Sequence, residues 1–220
     1  MFGQGFRYMT APVKARFLGL ACGRVAKRAR NGQLGRLDIG LLALAWGNPG
    51  YAAGFSYLNH VGARVQQASG VILECGSGAT TLLIAALTKS RGIECVVLEH
   101  NRAWYEYVAS MLERLGFDHV QLVYAPLKNF GSYLWYDVPL KSMATRIDLV
   151  VCDGPPGKTP GGRYGLMPVM GPALSKDCVI LLDDTHREAE RQIIDVWSRD
   201  RCLKASRTGR FGRHTELVCC

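Results

Sequence analysis

The stretch Val71-Ile-Leu-Glu-Cys-Gly-Ser-Gly78 decides the fold. A short apolar run leads directly into two glycines one residue apart, and a helical pattern covers residues 79 to about 89. A run of this length bounded by a turn predicts a buried strand. Glycines placed directly after it allow a sharp turn and a close approach of the backbone to a ligand. The stretch therefore predicts a strand, a tight loop and a helix in direct succession.

The same alternation of short apolar runs and longer helical patterns continues toward the end of the sequence. It predicts a parallel sheet with helices on both faces. The last two predicted strands flank a glycine-containing loop, and a hairpin of this kind requires one antiparallel strand. The predicted strands after the first cover residues 94–99, 120–124, 147–152, 178–182, 203–207 and 216–219. The predicted helices cover residues 102–115, 166–174 and 187–199.

A basic segment precedes this unit. Helical patterns cover residues 12–31 and 38–69, interrupted by Gly47-Asn-Pro-Gly50. We assign residues 1–54 to a basic helical extension or cap, and residues 55–220 to the sheet domain. The formal net charge of the whole chain is +9. Residues 1–36 contain no acid, and their basic residues are Arg7, Lys14, Arg16, Arg24, Lys27, Arg28, Arg30 and Arg36.

Composition and charge limit the location and the partners of the chain. A basic segment favours contact with phosphate, on RNA or on an anionic membrane surface, although a solvated helix face explains it equally well. No run approaches the ~20 apolar residues of a membrane span, and the apolar run 17–22 is short for a secretory signal. The eight cysteines contain no C-x-x-C pair, so we expect buried thiols in a reducing compartment. We therefore expect a cytoplasmic protein that could lie peripherally at the inner membrane surface and could form a homo-oligomer.

Two carboxylates lie at the predicted ligand-binding edge. Ligands of open parallel sheets bind at the carboxyl ends of the strands. Glu99 ends the second strand and is placed to accept the hydroxyl protons of a ribose. Glu74 would repel a pyrophosphate but could receive the ammonium group of a ligand. Thr81 replaces the third glycine of the dinucleotide-binding pattern, which weakens that interpretation without excluding it.

Several of these motifs resemble one enzyme family. Leu73-Glu-Cys-Gly-Ser-Gly78 resembles the first motif of the class I S-adenosylmethionine-dependent methyltransferases. The strand ending at Glu99 resembles their second motif, and Ile147-Asp-Leu-Val-Val-Cys-Asp153 their fourth. The resemblance covers about residues 55–220. It implies an α/β, Rossmann-like, doubly wound seven-stranded sheet with an antiparallel last strand, and an enzyme that transfers the methyl group of S-adenosylmethionine.

The resemblance also implies a cofactor site. Its residues follow the first four strands and are Glu74, Gly76, Ser77, Gly78, Glu99, His100, Ala125, Leu127 and Asp153. The glycine loop would contact the methionine part, Glu99 the ribose, and Ala125 and Leu127 the adenine. Many members carry an acid after the third strand, whereas residues 124–127 contain none. His100, or the backbone beside it, could cover part of that role.

Acids after the fourth and fifth strands suggest the chemistry. Asp153, Asp183 and Asp184 should converge at one edge, where they would repel one another unless a cation lies among them. Oxygen ligands of this kind suit Mg²⁺, and the arrangement is similar to metal-dependent O-methyltransferases of small molecules and sugars. An oxygen acceptor must also lose a proton, for which His186 or His100 could be the base. Alternatively, Asp183 only ends a strand, and Asp184 or Thr185 caps the following helix.

Two further segments lie where an acceptor could bind. Residues 157–164 are glycine-rich and basic, which favours a substrate lid. Residues 130–136 contain four aromatic residues, which could line an acceptor pocket or form a packing insertion.

These observations leave three functions open. The first is an O-methyltransferase of a small molecule or glycan, assisted by a metal. The second is an RNA methyltransferase that grips phosphates with residues 1–36. The third is a non-enzymatic protein that binds a membrane surface through one apolar helix face. That face would consist of Phe17, Leu18, Ala21, Cys22 and Val25.

Overall fold

The computed structural model describes residues 11–47, 53–138, 146–201, 203–209 and 213–219. Parts of the predicted extension and of the Gly47–Gly50 break lie outside these ranges. The helices are α1 (Ala11–Arg30), α2 (Arg36–Trp46), α3 (Phe55–Gln67), α4 (Ala79–Thr88), α5 (Arg102–Arg114) and α6 (Glu188–Arg201). The strands are β1 (Val71–Cys75), β2 (Cys95–Glu99), β3 (Val120–Tyr124), β4 (Leu127–Asn129), β5 (Leu134–Tyr136), β6 (Ile147–Cys152), β7 (Leu174–Leu182), β8 (Leu203–Thr208) and β9 (His214–Cys219).

Seven strands form the main sheet, in the order β3-β2-β1-β6-β7-β9-β8. The first five in this order are parallel, and β9 runs antiparallel to both β7 and β8. This confirms the predicted Rossmann-like sheet with its terminal hairpin. The direction of the crossovers switches between β1 and β6, which are paired up to Cys75 and Cys152. Ligands of such sheets bind at the carboxyl end of that switch point.

Two segments differ from the sequence prediction. The predicted helix 166–174 is a π-helical turn (Leu166–Met170) followed by a 3₁₀ turn (Gly171–Ala173). Pro168 and Pro172 lack the backbone N–H that a regular α-helix needs, and β7 begins directly after them. A second, two-stranded sheet of β4 and β5 carries the aromatic segment, with Leu127 opposite Tyr136. It was not predicted because its strands have only three residues each.

The N-terminal helices share their core with the sheet. Leu18 and Val25 of α1 and Leu42 of α2 are completely buried, in one hydrophobic cluster with Leu83 of α4. The proposed membrane-binding face of α1 is therefore wrong, because four of its five residues pack inward: Leu18, Ala21, Cys22 and Val25. No helix among the described residues is long and apolar enough to cross a bilayer.

A buried carboxylate joins α1 to α2. Asp38 accepts hydrogen bonds from the backbone N–H of Gly35 (2.9 Å) and from Nε of Arg24 (2.6 Å). Nε of Arg28 lies 3.5 Å from Oδ2 of Asp38, the oxygen that also accepts from Gly35. Burial alone would raise the pKa of Asp38, but these donors and charges outweigh it, so the pKa lies below its usual value. Asp38 thus caps α2 and fixes its contact with α1.

We expect Asp38→Ala to lower the free energy of unfolding by about 1–2 kcal/mol, because α2 loses its cap and two arginines lose their partner. Urea unfolding should show a lower midpoint at an unchanged slope. Asp195→Ala, at an exposed position of α6, is the matched control. Coincident curves for the two variants would contradict this role of Asp38.

Candidate functional site

The glycine loop after β1 is joined to the loop after β6. The carbonyl oxygen of Cys75 accepts hydrogen bonds from the N–H groups of Asp153 (3.0 Å) and Gly154 (2.7 Å). Gly76 has a φ of +85°, and a Cβ there would lie 3.1 Å from the backbone nitrogen of Gly154. Gly76 is therefore required both by its conformation and by the contact between the loops. A Cβ on Gly78 would meet nothing within 4 Å, so this backbone faces open space at the start of α4.

Glu99 is held in place by the same loop. Ser77 donates to its Oε2 from the backbone N–H (3.0 Å) and from the hydroxyl (2.8 Å), and the N–H of Asn101 donates to Oε1 (2.8 Å). Burial alone would raise the pKa of Glu99, but the His100 ring and these donors outweigh it and bring the pKa below its usual value. Glu99 is thus an oriented, ionised carboxylate; Oε2 already accepts two hydrogen bonds, whereas Oε1 accepts one from Asn101 and keeps a lone pair for another donor.

Glu74, the carboxyl group beneath the glycine loop, differs from Glu99 in its protonation. Its side chain is buried, and the Thr80 hydroxyl donates to Oε1. Oε2 has no hydrogen-bond partner among the described residues. Burial raises the pKa of Glu74 to about 8, so the carboxyl group is mostly protonated at neutral pH. A ligand ammonium group would supply the missing partner and favour the ionised form.

Several predicted cofactor residues surround Glu99. Nδ1 of His100 lies 3.3 Å from Oε1 of Glu99, and the N–H of Ala125 donates to the Glu99 carbonyl oxygen (2.8 Å). The His100 ring meets the Tyr136 ring edge-on, with their centroids 6.1 Å apart. The hydroxyl of Tyr136 is buried and has no hydrogen-bond partner among the described residues. Leu127, partly buried, begins the strand that pairs with Tyr136.

A buried arginine joins the acidic loops after β6 and β7. The side chain of Arg163 is 1% exposed. Its Nη2 donates to the carbonyl oxygen of Asp153 (2.7 Å), to Oδ1 of Asp153 (3.1 Å) and to Oδ2 of Asp184 (3.1 Å). Its Nη1 donates to the carbonyl oxygen of Asp183. One guanidinium therefore binds the ends of two neighbouring strands.

This arrangement does not support the predicted Mg²⁺ site. The expected ligands Asp153, Asp183 and Asp184 do meet at one edge, and their repulsion does require a cation. That cation is the guanidinium of Arg163, which lies between Asp153 and Asp184. Among the residues that the structure describes, no group of three or more His, Cys, Asp or Glu could hold a metal ion.

The three acids differ in their surroundings. Burial raises the pKa of Asp153 to about 7, against the attraction of Arg163 and with the repulsion of Asp183 and Asp184. Burial also raises the pKa of Asp183, to about 6. Asp184 has a φ of +61°, a conformation that costs free energy outside glycine and is common at functional sites. Asp153 is thus a carboxyl group that can exchange protons near neutral pH.

His186, the other predicted base, differs from Asp153 in its exposure to solvent. It is exposed on the turn before α6, whereas Asp153 lies at the junction of the glycine loop and the loop after β6. The catalytic role of His186 stays a prediction.

The predicted lid is anchored by the small sheet. The carbonyl oxygen of Pro160 accepts from the N–H of Leu134 (2.9 Å). Tyr133 stacks on Phe130 with centroids 5.3 Å apart and meets Tyr164 edge-on at 5.2 Å. Residues 157–164 are thus held by aromatic packing and by Arg163, and the aromatic segment serves at least partly as packing.

The comparison with known proteins identifies the family. The sequence profile of a family described as "Methyltransferase domain" matches residues 73–185. The chain belongs to this methyltransferase family. No curated protein sequence matches it. The matched residues run from the β1 motif to the loop after β7 and include Glu74, Glu99, Asp153, Arg163, Asp183 and Asp184.

Solved structures share the fold. The SAH-bound methyltransferase PaMTH1 from Podospora anserina is 17% identical, with a TM-score of 0.60, over 90% of this chain and 87% of its own. An O-methyltransferase from Bacillus cereus in complex with SAH is 14% identical, with a TM-score of 0.57, over 84% and 90%. The N-terminal domain of human METTL16, also in complex with SAH, is 16% identical, with a TM-score of 0.52, over 76% and 70%. The prediction of an S-adenosylmethionine-dependent methyltransferase is confirmed at the level of family and fold.

Sequence reasoning missed several residues of the methyltransferase site. Arg163 was included only in a basic lid, and Tyr136 only in an aromatic cluster. Glu190 of α6 is buried beside Gly157, and neither of its carboxylate oxygens has a hydrogen-bond partner among the described residues. The signal for Arg163 was the unbalanced acidity of the three strand-end aspartates, which required a cation from somewhere in the chain.

We expect binding of S-adenosylhomocysteine at pH 7 to release close to one proton, because its ammonium group should convert Glu74 from the acid to the carboxylate. Calorimetric titrations in buffers of different ionisation enthalpy measure this number. Glu74→Gln should abolish the release and weaken binding roughly tenfold. Glu113→Gln, an exposed change of the same kind, is the control. Equal proton release in all three proteins would contradict the pairing.

We expect Arg163→Met to lower the free energy of unfolding by roughly 3 kcal/mol at pH 8, because it leaves the partly buried carboxylates of Asp153 and Asp184 without this cation. The aspartate pKa values would rise further in the folded variant. The folded state would then bind more protons than the unfolded chain, so stability should recover as the pH falls from 8 toward 5. Thermal unfolding across this range measures the effect. Arg187→Met replaces a half-exposed partner of Asp184 and should lower the free energy of unfolding much less.

Proposed function

We propose that this enzyme binds S-adenosylmethionine on the loop Gly76–Gly78 and methylates an oxygen of a small-molecule or glycan acceptor, with Asp153 as the general base. One observation carries the proposal. A carboxyl group with a pKa of about 7 lies directly against the cofactor loop, at the switch point of the sheet.

The residues present fit the cofactor. Glu99 would accept one ribose hydroxyl at the free lone pair of Oε1 and the other at Oε2 in place of the Ser77 hydroxyl, since the N–H groups of Ser77 and Asn101 already fix its orientation. Gly78 offers open backbone at the N-terminus of α4, which favours the carboxylate of the methionine part. The unpaired oxygen of Glu74 would take the ammonium group. His100, Ala125 and Leu127 would border the adenine ring of the cofactor.

The acceptor chemistry requires one proton transfer. When bound, the cofactor supplies an electrophilic methyl group on its sulfonium. Asp153 would take the proton of the acceptor hydroxyl while the new C–O bond forms and the C–S bond breaks. The proton thus moves to a carboxylate, and the electron pair of the broken bond stays on sulfur. Positioning of the two reactants does most of the remaining work.

Arg163 would act as a positioning residue in this reaction. It holds the Asp153 carboxylate through Oδ1 and fixes the backbone carbonyl of the same residue. Because Arg163 pairs with Asp153 and Asp184, and Arg187 also pairs with Asp184, we derive no step through a divalent cation. The buried hydroxyl of Tyr136 lies near Gly154, where a Cβ would come within 2.5 Å of it. We propose that this hydroxyl contacts a bound ligand.

The choice of an oxygen acceptor is supported by the site and by one comparison. A carboxylate of this pKa is matched to a hydroxyl that must be deprotonated in the transition state. The Bacillus cereus neighbour is described as an O-methyltransferase. We also propose that residues 55–220 form the catalytic domain and that residues 1–54 cap it. The non-enzymatic alternative does not agree with membership of a methyltransferase family.

We expect activity to rise with pH to a plateau, with an apparent pKa of about 7, because only the ionised form of Asp153 can accept the proton. The assay is release of S-adenosylhomocysteine over a panel of phenols, catechols and sugars. Asp153→Asn should lower kcat by roughly 10²–10⁴ and remove the pH dependence while S-adenosylhomocysteine still binds. Asp195→Asn is the matched control.

Chelation gives an independent test of the same proposal. Addition of EDTA should leave the wild-type rate unchanged, because Arg163 supplies the cation. Complete loss of activity in EDTA with recovery in Mg²⁺, or an Asp153→Asn variant as active as the wild type, would overturn the proposed mechanism.

A further inference from the structure

Apolar side chains remain exposed on the outer face of the first two helices. On α1 they are Val13, Phe17 and Leu20, and on α2 they are Leu37, Leu41 and Leu44. Each set has the spacing i, i+4, i+7, which places its members on one side of their helix. Leu20 is 67% exposed and Leu37 is 82% exposed, whereas the core side of the same helices is completely buried.

The two rows belong to one surface. Asp38 of α2 is paired with Arg24 and Arg28 of α1, so the helices lie side by side. Their inward residues share one hydrophobic cluster. The rows therefore lie on the outer side of a single helical layer, and we call this surface the α1–α2 face.

The charge of this helix pair is strongly positive. Its cations are Lys14, Arg16, Arg24, Lys27, Arg28, Arg30 and Arg36. The single acid of these two helices, Asp38, is buried and already paired. Exposed aliphatic side chains surrounded by cations are typical of helices that lie in the interface of a bilayer.

A cavity beside α1 is lined both by cations and by an exposed apolar side chain. It has a volume of about 560 Å³ and is lined by Leu20, Arg24, Lys27 and Arg28, with Gly19 and Gly23 among the remaining residues. Gly23 leaves room beside the helix, because a Cβ there would meet nothing within 4 Å. Lys27, together with Arg24 and Arg28, which share the single charge of Asp38, gives a net positive site beside an apolar side chain, and this suits a lipid phosphate and the start of its acyl chain.

We propose that the α1–α2 face binds the enzyme peripherally to an anionic lipid bilayer. Its leucines and Phe17 would enter the acyl boundary, and its cations would pair with lipid phosphates. RNA fits less well, because five of the six exposed apolar residues are aliphatic and cannot stack on bases. A second copy of the chain fits less well too, because it would bring two basic faces together.

The test is flotation of the full-length protein with vesicles. One set contains phosphatidylcholine alone, and the other an equal mixture of phosphatidylcholine and phosphatidylserine. We expect binding to the mixture, at least tenfold weaker binding to phosphatidylcholine alone, and loss of binding at high salt.

Two double variants separate the apolar contribution to membrane binding from the electrostatic one. The double variant Leu37→Ser/Leu41→Ser should weaken binding about tenfold, and Arg16→Glu/Lys27→Glu should abolish it. Lys204→Glu/Arg207→Glu makes the same change of charge on the exposed strand β8 and should bind like the wild type. Unchanged affinity for S-adenosylhomocysteine shows that each variant is folded, and keeps this test separate from the proposed reaction.

Several outcomes would overturn the proposal. They are absence of binding to the mixed vesicles, equal binding to both vesicle sets, and wild-type binding by both α1–α2 variants. A dimer that only the leucine variant disrupts would assign the face to a second copy of the chain. Retention on RNA that only the charge variant loses would assign it to nucleic acid.

Discussion

The contact on which the site depends is between one guanidinium and the ends of two strands. Arg163 neutralises the loops after β6 and β7, where three aspartates would otherwise repel one another. Buried charges of one sign are unfavourable unless a partner of the other sign is held among them. Because this partner belongs to the loop that follows Asp153, the same contact folds the loop back across the carboxyl edge of the sheet. The position of Asp153 and the course of the following loop therefore have one cause.

The cofactor side is organised by hydrogen bonds. Ser77 and Asn101 fix Glu99, and the indole N–H of Trp104 donates to the carbonyl oxygen of Ser77 (2.8 Å). The loop after β1 is thus bound to the start of α5 and to the loop after β6. The two carboxyl groups on this side differ in charge because only Glu99 has enough donors around it to remain ionised. Glu74, whose only donors among the described residues are threonine hydroxyls, is mostly protonated at neutral pH.

Much of this could be predicted from the sequence, because the relevant signals are local. Apolar runs in a parallel sheet are buried on both faces and are easily recognised, and the motif ending at Gly78 marks the first crossover. The strand-end acids were correctly placed at one edge. The nature of their cation could not be predicted, because Arg163 comes ten residues after Asp153 in a glycine-rich segment with no periodicity. The orientation of α1 was also wrong, because its apolar residues occupy more than one side and only tertiary packing decides which side is buried.

The close approach of Gly76 to Gly154 limits the substitutions that the enzyme can tolerate at these two positions. A Cβ on either residue would come within 3.2 Å of the other's backbone, so neither position tolerates a side chain without displacement of both loops. The two positions behave as one unit under mutation, although they are far apart in the chain. Redesign of acceptor preference would therefore have to leave this pair unchanged. More freedom lies at the exposed Lys158, whereas a Cβ on Gly161 of the same segment would come within 2.3 Å of Tyr133.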